Sequence, residues 1–276
     1  MPRVHDGVGF VGTGRLGEPM VQRLLAAGYP VTAVARHPDV ADRLRASGAN
    51  IARSVADVAR SSRIVISCLF SDEQLQQALA GPDGLSANMQ PHSLFVSHTT
   101  GTPDTLARIM LETRGESKLT VLDAPVSGTA ADVAAGRLTV MIGGHAQAVD
   151  QVTPALSTYC GNIIHTGTFG TALTAKLVNN LVFAANTQIV VAASAIAAQM
   201  GLEPGLLLRV LSASSGSSHA VTYALRSGGV AAVENLVAEF LVKDTDACRA
   251  VADATGTDLG WLGRVVDSGP LALGRR

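Results

Sequence analysis

Hydrophobic and polar positions along the chain of 276 residues fall into two regimes. In the first, short apolar runs alternate with amphipathic stretches. Val8–Val11, Tyr29–Ala35, Asn50–Ala52, Arg63–Leu69, Ser93–Ser97, Lys118–Leu122, Arg137–Gly143 and Asn162–His165 read as strands. Between them, a pattern running to Ala27, then Asp42–Ser47, Val55–Arg60, Glu73–Ala80, a stretch opened by Pro103, and Ala146–Tyr159 read as helices. Runs such as RIVISCL at 63–69 are apolar without alternation, as strands covered on both faces are. Strand and helix in turn predict a doubly wound, mainly parallel α/β domain over residues 1–165. From residue 166 to 276 the pattern is helical throughout: Thr171–Met200, Pro204–Ser212, about His219–Arg226, and Leu236 to roughly Thr255. The second regime is therefore an all-α carboxyl-terminal domain, joined to the first by the long helix 171–200.

That long helix carries one formal charge. Between Asp150 and Glu203 only Lys176 is charged, in a run of Ala, Val, Leu and Ile that no Gly or Pro interrupts before Gly201. At helical rise it spans roughly 45 Å. Lys176, Asn180 and Phe183 or Ala184 share a face, and Asn179 is turned away by about 100°. Three readings of the lone amine stand at this point. It snorkels to water from a helix end; it belongs to a membrane span, which the many Asn and Gln residues and the lack of a basic flank oppose; or it is a catalytic amine. Burial and the positive end of the helix would both lower its pKa toward working pH.

After the first strand comes Gly12-Thr13-Gly14-Arg15-Leu16-Gly17, then a helix. Strand, GxGxxG turn and helix in this order form the dinucleotide-binding fingerprint of a Rossmann domain. The first glycine permits the tight turn, the second lets backbone approach a pyrophosphate, and the third lets helix and strand pack closely. Arg15 and Leu16 complete the turn, and Leu69 ends a neighbouring strand; all are candidate cofactor contacts. The tip of the second strand selects the cofactor: an acid there takes the ribose hydroxyls of NAD, and an arginine the 2′-phosphate of NADP. This chain has Ala35-Arg36-His37, so Arg36 points to NADP(H), while Asp39 nearby leaves NAD(H) open.

Two further strand ends bear polar or small residues where open parallel sheets bind ligands. His98-Thr99-Thr100-Gly101-Thr102-Pro103 offers Thr100 to the nicotinamide ribose, while His98 reads as a solvated loop histidine without a role. In Asp123-Ala124-Pro125-Val126-Ser127-Gly128-Thr129, exposed backbone N–H groups and the Ser127 hydroxyl suit a substrate carboxylate, though a plain turn reads equally well. Lys243 and Asp244 fall inside the last helix, where a surface ion pair is the simple expectation.

Composition narrows the partners. Hydrophobic residues at 47% indicate a filled core. Aromatics at 4% and a net charge of −1 argue against nucleic-acid and membrane-surface roles. Cys68, Cys160 and Cys248 match no metal or disulfide spacing and read as buried apolar residues in a reducing compartment. MPRVHDG lacks the apolar segment of a signal peptide, so a cytoplasmic location is expected.

Four segments in this order, GFVGTGRLGEPM at 9–20, DAPVSG at 123–128, GTFGTALTAKLVNN at 167–180 and KD at 243–244, resemble the β-hydroxyacid dehydrogenase family. The family includes 3-hydroxyisobutyrate dehydrogenase, tartronate semialdehyde reductase and glyoxylate/succinic semialdehyde reductases. The resemblance spans nearly the whole chain and implies a dimeric or tetrameric NADP(H)-dependent oxidoreductase. It would interconvert a small β-hydroxyacid and its semialdehyde or keto acid. It implies Lys176 as general acid and base, Asn180 as the substrate-positioning residue, and Ser127-Gly128 as the carboxylate anchor. Lys243 would close over cofactor and substrate. The chain departs from the family pattern at Thr129, which replaces a second glycine and narrows the substrate loop. It also departs at Ala172, where the cofactor is expected close by, and at Ser97, in place of a frequent acid. The stretch after Lys243 is short, which implies a curtailed or missing terminal helix. An imine reductase of the same plan, to which TTGTP at 99–103 is similar, and a non-catalytic NADP-binding protein are the alternatives. No metal site is expected.

Overall fold

The computed structural model describes residues 7–112 and 119–273. The chain forms two compact units, Met1–Lys176 and Leu177–Arg276. The first unit opens with β1 (Val8–Val11), α1 (Gly17–Ala26), β2 (Val31–Val34), α2 (Pro38–Ala46), β3 (Asn50–Ile51), α3 (Val55–Ser61), β4 (Ile64–Ser67), α4 (Asp72–Leu79) and α5 (Leu85–Asn88). It continues through β5 (Leu94–Ser97), α6 (Pro103–Glu112), β6 (Thr120–Asp123), β7 (Val126–Ser127), α7 (Ala130–Ala134), β8 (Leu138–Gly143), α8 (Ala146–Leu156) and β9 (Cys160–Gly167). The strands form one sheet in the order β3-β2-β1-β4-β5-β6-β8-β7, with β9 paired to β8. Pairing is parallel from β3 to β6 and between β8 and β9, and antiparallel where β8 meets β6 and β7.

Residue alternation divides the two faces. Val8, Phe10, Ile64, Ile66, Leu94 and Val96 enter one apolar cluster, and Val11, Val65, Phe95 and Val121 enter the other. Both faces are covered, which accounts for the unbroken apolar runs. The chain winds outward from β1 to β2 and β3 on one side and from β4 to β5 and β6 on the other. The carboxyl ends of β1 and β4 thus flank the switch point, where such sheets hold ligands.

Helix α9 (Thr171–Gln199) crosses from the first unit into the second. Its length, and a mean hydropathy of 1.8 over an 18-residue stretch of it, are those of a membrane span. Thr187 and Gln188 are nonetheless buried in its middle, and Gln188 is hydrogen-bonded to Val266 O and Leu271 O. The second unit continues with α10 (Pro204–Ser212), α11 (His219–Arg226), α12 (Val230–Thr255) and α13 (Gly260–Ser268). Its core gathers Leu177, Leu181, Ala184, Leu208, Val221, Leu241 and Val266.

Several elements differ from the sequence reading. Helix α2 starts at Pro38, with the ring at its first position, rather than at Asp42. Helices α5 and α7 and strand β7 are too short to show a period, and β7 forms only because β8 pairs with it. Helix α12 begins at Val230, after two left-handed glycines, Gly228 and Gly229, break it from α11. A terminal helix, α13, is present despite the short stretch after Lys243. Lys118, the first residue of one expected strand, lies outside the described residues.

Candidate active site

The glycine turn between β1 and α1 shows three different requirements. Gly12 has φ +97°, and a Cβ there would collide with Cys68 O and crowd Leu69 Cδ2. Gly17 lies against Gly12 O and Phe10, so a side chain would wedge α1 from the sheet. At Gly14 a Cβ would meet nothing within 4 Å. That open space lies at the start of α1, whose N-cap residue Leu16 supplies no side-chain cap. A helix start without a side-chain cap beside an open glycine fits a pyrophosphate, and Leu69 borders the turn at Gly12. The Thr13 hydroxyl donates to Val34 O at 3.2 Å, tying the turn to the end of β2.

At that strand end Arg36 is exposed and has no protein partner among the described residues. Asp39, the acid that left NAD open, sits 2.9 Å from Arg43, which also grips Glu18 through two nitrogens at 2.6 and 2.9 Å. Hydrogen bonding to Arg43 holds both carboxyls below their usual range. The residues present therefore fit a dinucleotide, with Arg36 exposed at the ribose end.

The loop after β5 is pinned rather than loose. Thr102 donates its N–H at 2.8 Å and its hydroxyl at 3.2 Å to Asp72, and a side chain at Gly101 would collide with that carboxylate. Thr100 is half-buried on this loop. His98 is not solvated as expected, being only 3% exposed. Its Nδ1 lies 2.6 Å from Ala124 O and its Nε2 2.9 Å from the Tyr159 hydroxyl. A carbonyl only accepts, so Nδ1 carries the proton and Nε2 accepts from Tyr159. Burial pushes the His98 pKa down to about 4 and that of Tyr159 well above its ordinary value.

In the DAPVSG segment, Ser127 pairs with Thr139 at the end of β7 and is half-buried. Gly128 follows at φ +137°, a conformation that favours glycine, and is exposed. Thr129 caps α7: its N–H and hydroxyl donate to Asp132 at 2.9 and 2.7 Å, and its hydroxyl accepts from Asp132 N at 3.3 Å. The donors of Thr129 are thus committed to a neighbouring carboxylate, which leaves Ser127 and Gly128 as this loop's candidates for a substrate carboxylate.

The sequence reading gave Asp123 no task. It is fully buried, and its oxygens accept from Gly170 N–H at 2.8 Å and Leu173 N–H at 2.9 Å, at the start of α9. Gly143 makes this geometry possible, because a Cβ there would collide with Asp123 Oδ1. Ser97, next in register, is buried with no partner for its hydroxyl, and Ala172 is fully buried, so its methyl packs in the interior. One turn into α9 is Lys176, only 8% exposed. Taken as a whole, the lysine is thus largely covered.

In the second unit, Asn180 is buried, one turn beyond Lys176 along α9. Its amide NH2 donates to Asp244 Oδ2 at 2.6 Å, and its oxygen accepts from Asn179 at 3.1 Å. A carboxylate can only accept, which fixes the amide's orientation and leaves one N–H of Asn180 over. Lys243 Nζ lies 2.9 Å from Asp244 Oδ1, with both side chains partly buried. Lys243 and Asp244 therefore belong to a network with Asn180 rather than to an isolated surface pair.

Residues 7–167 match the model of the NAD-binding domain of 6-phosphogluconate dehydrogenase. Residues 170–266 match that of the NAD-binding domain of NADP-dependent 3-hydroxyisobutyrate dehydrogenase. The chain is 33% identical to an NAD-dependent L-serine dehydrogenase of Pseudomonas aeruginosa over 92% of this chain and 89% of that one. It is also 33% identical to a 3-hydroxyisobutyrate dehydrogenase of the same organism, over 78% and 72% of the two chains. A Mycobacterium tuberculosis 3-hydroxyisobutyrate dehydrogenase solved with L-serine superposes with a TM-score of 0.82 at 25% identity, covering 95% of this chain and 92% of the other. The chain belongs to the 3-hydroxyisobutyrate (β-hydroxyacid) dehydrogenase family, within the 6-phosphogluconate dehydrogenase superfamily, and is an NAD(P)-dependent dehydrogenase acting on a CH–OH group.

Proposed function

We propose that this protein interconverts a small β-hydroxyacid and its semialdehyde or keto acid with NADP(H), and that Lys176 exchanges the proton with the reacting oxygen. The observation that carries the reading is a buried lysine one turn into α9, one turn before the buried Asn180. An amine kept from bulk water is the group whose proton affinity the surroundings can tune for this task.

The bound nicotinamide supplies or accepts the hydride. Ser127 and Gly128 hold the substrate carboxylate by the hydroxyl and backbone N–H groups of their loop. Asn180 orients the reacting oxygen with its remaining N–H, while Asp244 fixes the amide plane. Lys176 gives a proton to that oxygen in reduction and takes one in oxidation. Positioned proton transfer of this kind contributes about 10² to 10⁴-fold to rate. Lys243 contributes a positive charge toward cofactor and substrate. NADP(H) is preferred over NAD(H) because Arg36 has no internal partner while Asp39 is drawn to Arg43.

A homodimer or larger homo-oligomer is also proposed. Val178, Val182, Ile189 and Ile196 are exposed, and at about 100° per residue they fall within one narrow stripe of α9. A second copy of this chain would cover it, which sedimentation would reveal as a dimer or larger species.

The test is turnover of a panel of semialdehydes and hydroxyacids by wild type and Lys176→Ala. Loss of about 10² to 10⁴-fold in kcat with unchanged NADPH affinity is expected. Turnover at the wild-type rate in that variant overturns the assignment.

A further inference from the structure

We infer that Asp123 is a positioning residue for Lys176, acting through the first turn of α9. The inference rests on the reading of Lys176 as proton donor and acceptor. Helix α9 carries no acidic residue in its own first turn. Its leading N–H groups are met instead by a carboxylate 47 and 50 residues back in the chain, at the end of β6. One oxygen takes the N–H of Gly170 and the other that of Leu173. Two bonds from one rigid group to two points three residues apart fix both how far the helix start lies from the strand end and how it is rotated. Lys176 follows Leu173 by three residues, about 4.5 Å along the axis and on nearly the same side. Any roll of the first turn is passed to the lysine.

The carboxylate is itself firmly based. Ala124 N–H donates to Ser97 O at 2.7 Å, and Ala124 O accepts from His98, whose other nitrogen takes the Tyr159 hydroxyl. No side chain competes for the Asp123 oxygens from the neighbouring strand, since the buried Ser97 hydroxyl is without a partner. Gly143 leaves the required space. Glu203 caps α10 with both oxygens from the exposed surface; the grip of Asp123 is instead buried and anchored to the sheet, which specifies orientation as well. Asp123 also brings a negative charge to the positive end of the helix, which favours the ammonium form of a nearby lysine.

The experiment compares wild type, Asp123→Asn, Asp123→Glu, Lys176→Ala and Asp123→Asn with Lys176→Ala. It measures kcat across pH, KM, NADPH affinity and hydrogen exchange at the Leu173 amide. In Asp123→Asn an NH2 opposes a backbone N–H. We expect kcat to fall by about 10² or less, the order that a displaced catalytic group produces, with NADPH affinity within about twofold. The pH limb of kcat should move to lower pH and the Leu173 amide should exchange faster. Asp123→Glu keeps the charge and should restore the pH limb without restoring kcat, and it stands in should the asparagine variant fold poorly. In the Lys176→Ala background, Asp123→Asn should have no further effect on residual turnover. Faster Leu173 exchange with unchanged kcat and pH limb would overturn the inference and leave Asp123 a cap. An equal loss of kcat with or without Lys176 would overturn it as well. Wild-type turnover by Lys176→Ala alone refutes the proton-transfer reading and this inference together. That outcome is told apart from failure of the inference alone, in which Lys176→Ala is inactive and Asp123→Asn is not.

Discussion

Lowering the pH from 7 to 4 is expected to loosen the amino-terminal sheet through His98. The ring is buried, donates through Nδ1 to Ala124 O and accepts through Nε2 from Tyr159. Taking a proton at Nε2 would set two donors face to face unless the Tyr159 hydroxyl reversed. Desolvation therefore moves the pKa from 6.5 to about 4 in the folded protein. The unfolded chain keeps the ordinary value, so between about pH 6.5 and pH 4 it binds the proton that the folded protein refuses. Stability attributable to His98 is complete above the upper value, is lost as pH falls, and levels off below the lower one. At about 1.4 kcal/mol per pH unit, the interval amounts to about 3 kcal/mol. The single tryptophan, Trp261, lies in the other unit and cannot report on this sheet. Hydrogen exchange at the Phe95 and Val96 amides of β5 can. Other groups titrate over the same range, so the quantity to follow is the difference between wild type and His98→Gln. The variant should be the less stable near pH 7, and the gap should close by about 3 kcal/mol on acidification. A gap that stays constant from pH 7 to 4 would refute the assignment of a neutral, proton-refusing imidazole.

Arg36→Ala should weaken NADPH binding by about 10- to 100-fold, the loss of one charge-assisted hydrogen bond, and leave NADH binding unchanged; equal effects on both in a titration would sink the cofactor preference. Gly14→Ala should fold as wild type, because its Cβ enters open space, yet lose about tenfold or more in dinucleotide affinity. Gly17→Ala, whose Cβ meets Gly12 O, should lose thermal stability instead, and a scan of both variants separates the two effects. Gln188→Ala removes bonds to Val266 O and Leu271 O and from Leu271 N–H, at 2.9, 2.8 and 2.7 Å. It should lower the stability of the helical unit by about 3 kcal/mol in urea unfolding followed by Trp261, and a loss below about 1 kcal/mol would contradict that accounting.

Much of the plan is readable from residue order alone. Apolar runs closed by glycine or polar loops locate the strands, and the unbroken run from Thr171 locates α9 with Lys176 and Asn180 one turn apart. What escapes such reading is contact between distant positions. His98 looks like a loop histidine because its partners are 26 and 61 residues away. The first residue of DAPVSG gives no local hint that its oxygens are used by a helix starting nearly fifty residues later. Asp244 likewise resembles half of a surface pair until Asn180, 64 residues earlier, is seen to donate to it. The short helices were invisible for a different reason: α5 and α7 span about one turn each, too little for a period to emerge.

The vacancy left by Gly143 ties two distant codons together. A lineage that acquired any side chain at that position would evict the acid at 123, whereas one that had already exchanged the acid for a smaller residue would have only the Thr168 carbonyl left to displace, 2.9 Å from the added Cβ. Across relatives the two positions should therefore drift as a pair, and a glycine that looks dispensable in a strand becomes a marker for whether the acid opposite it is still in use.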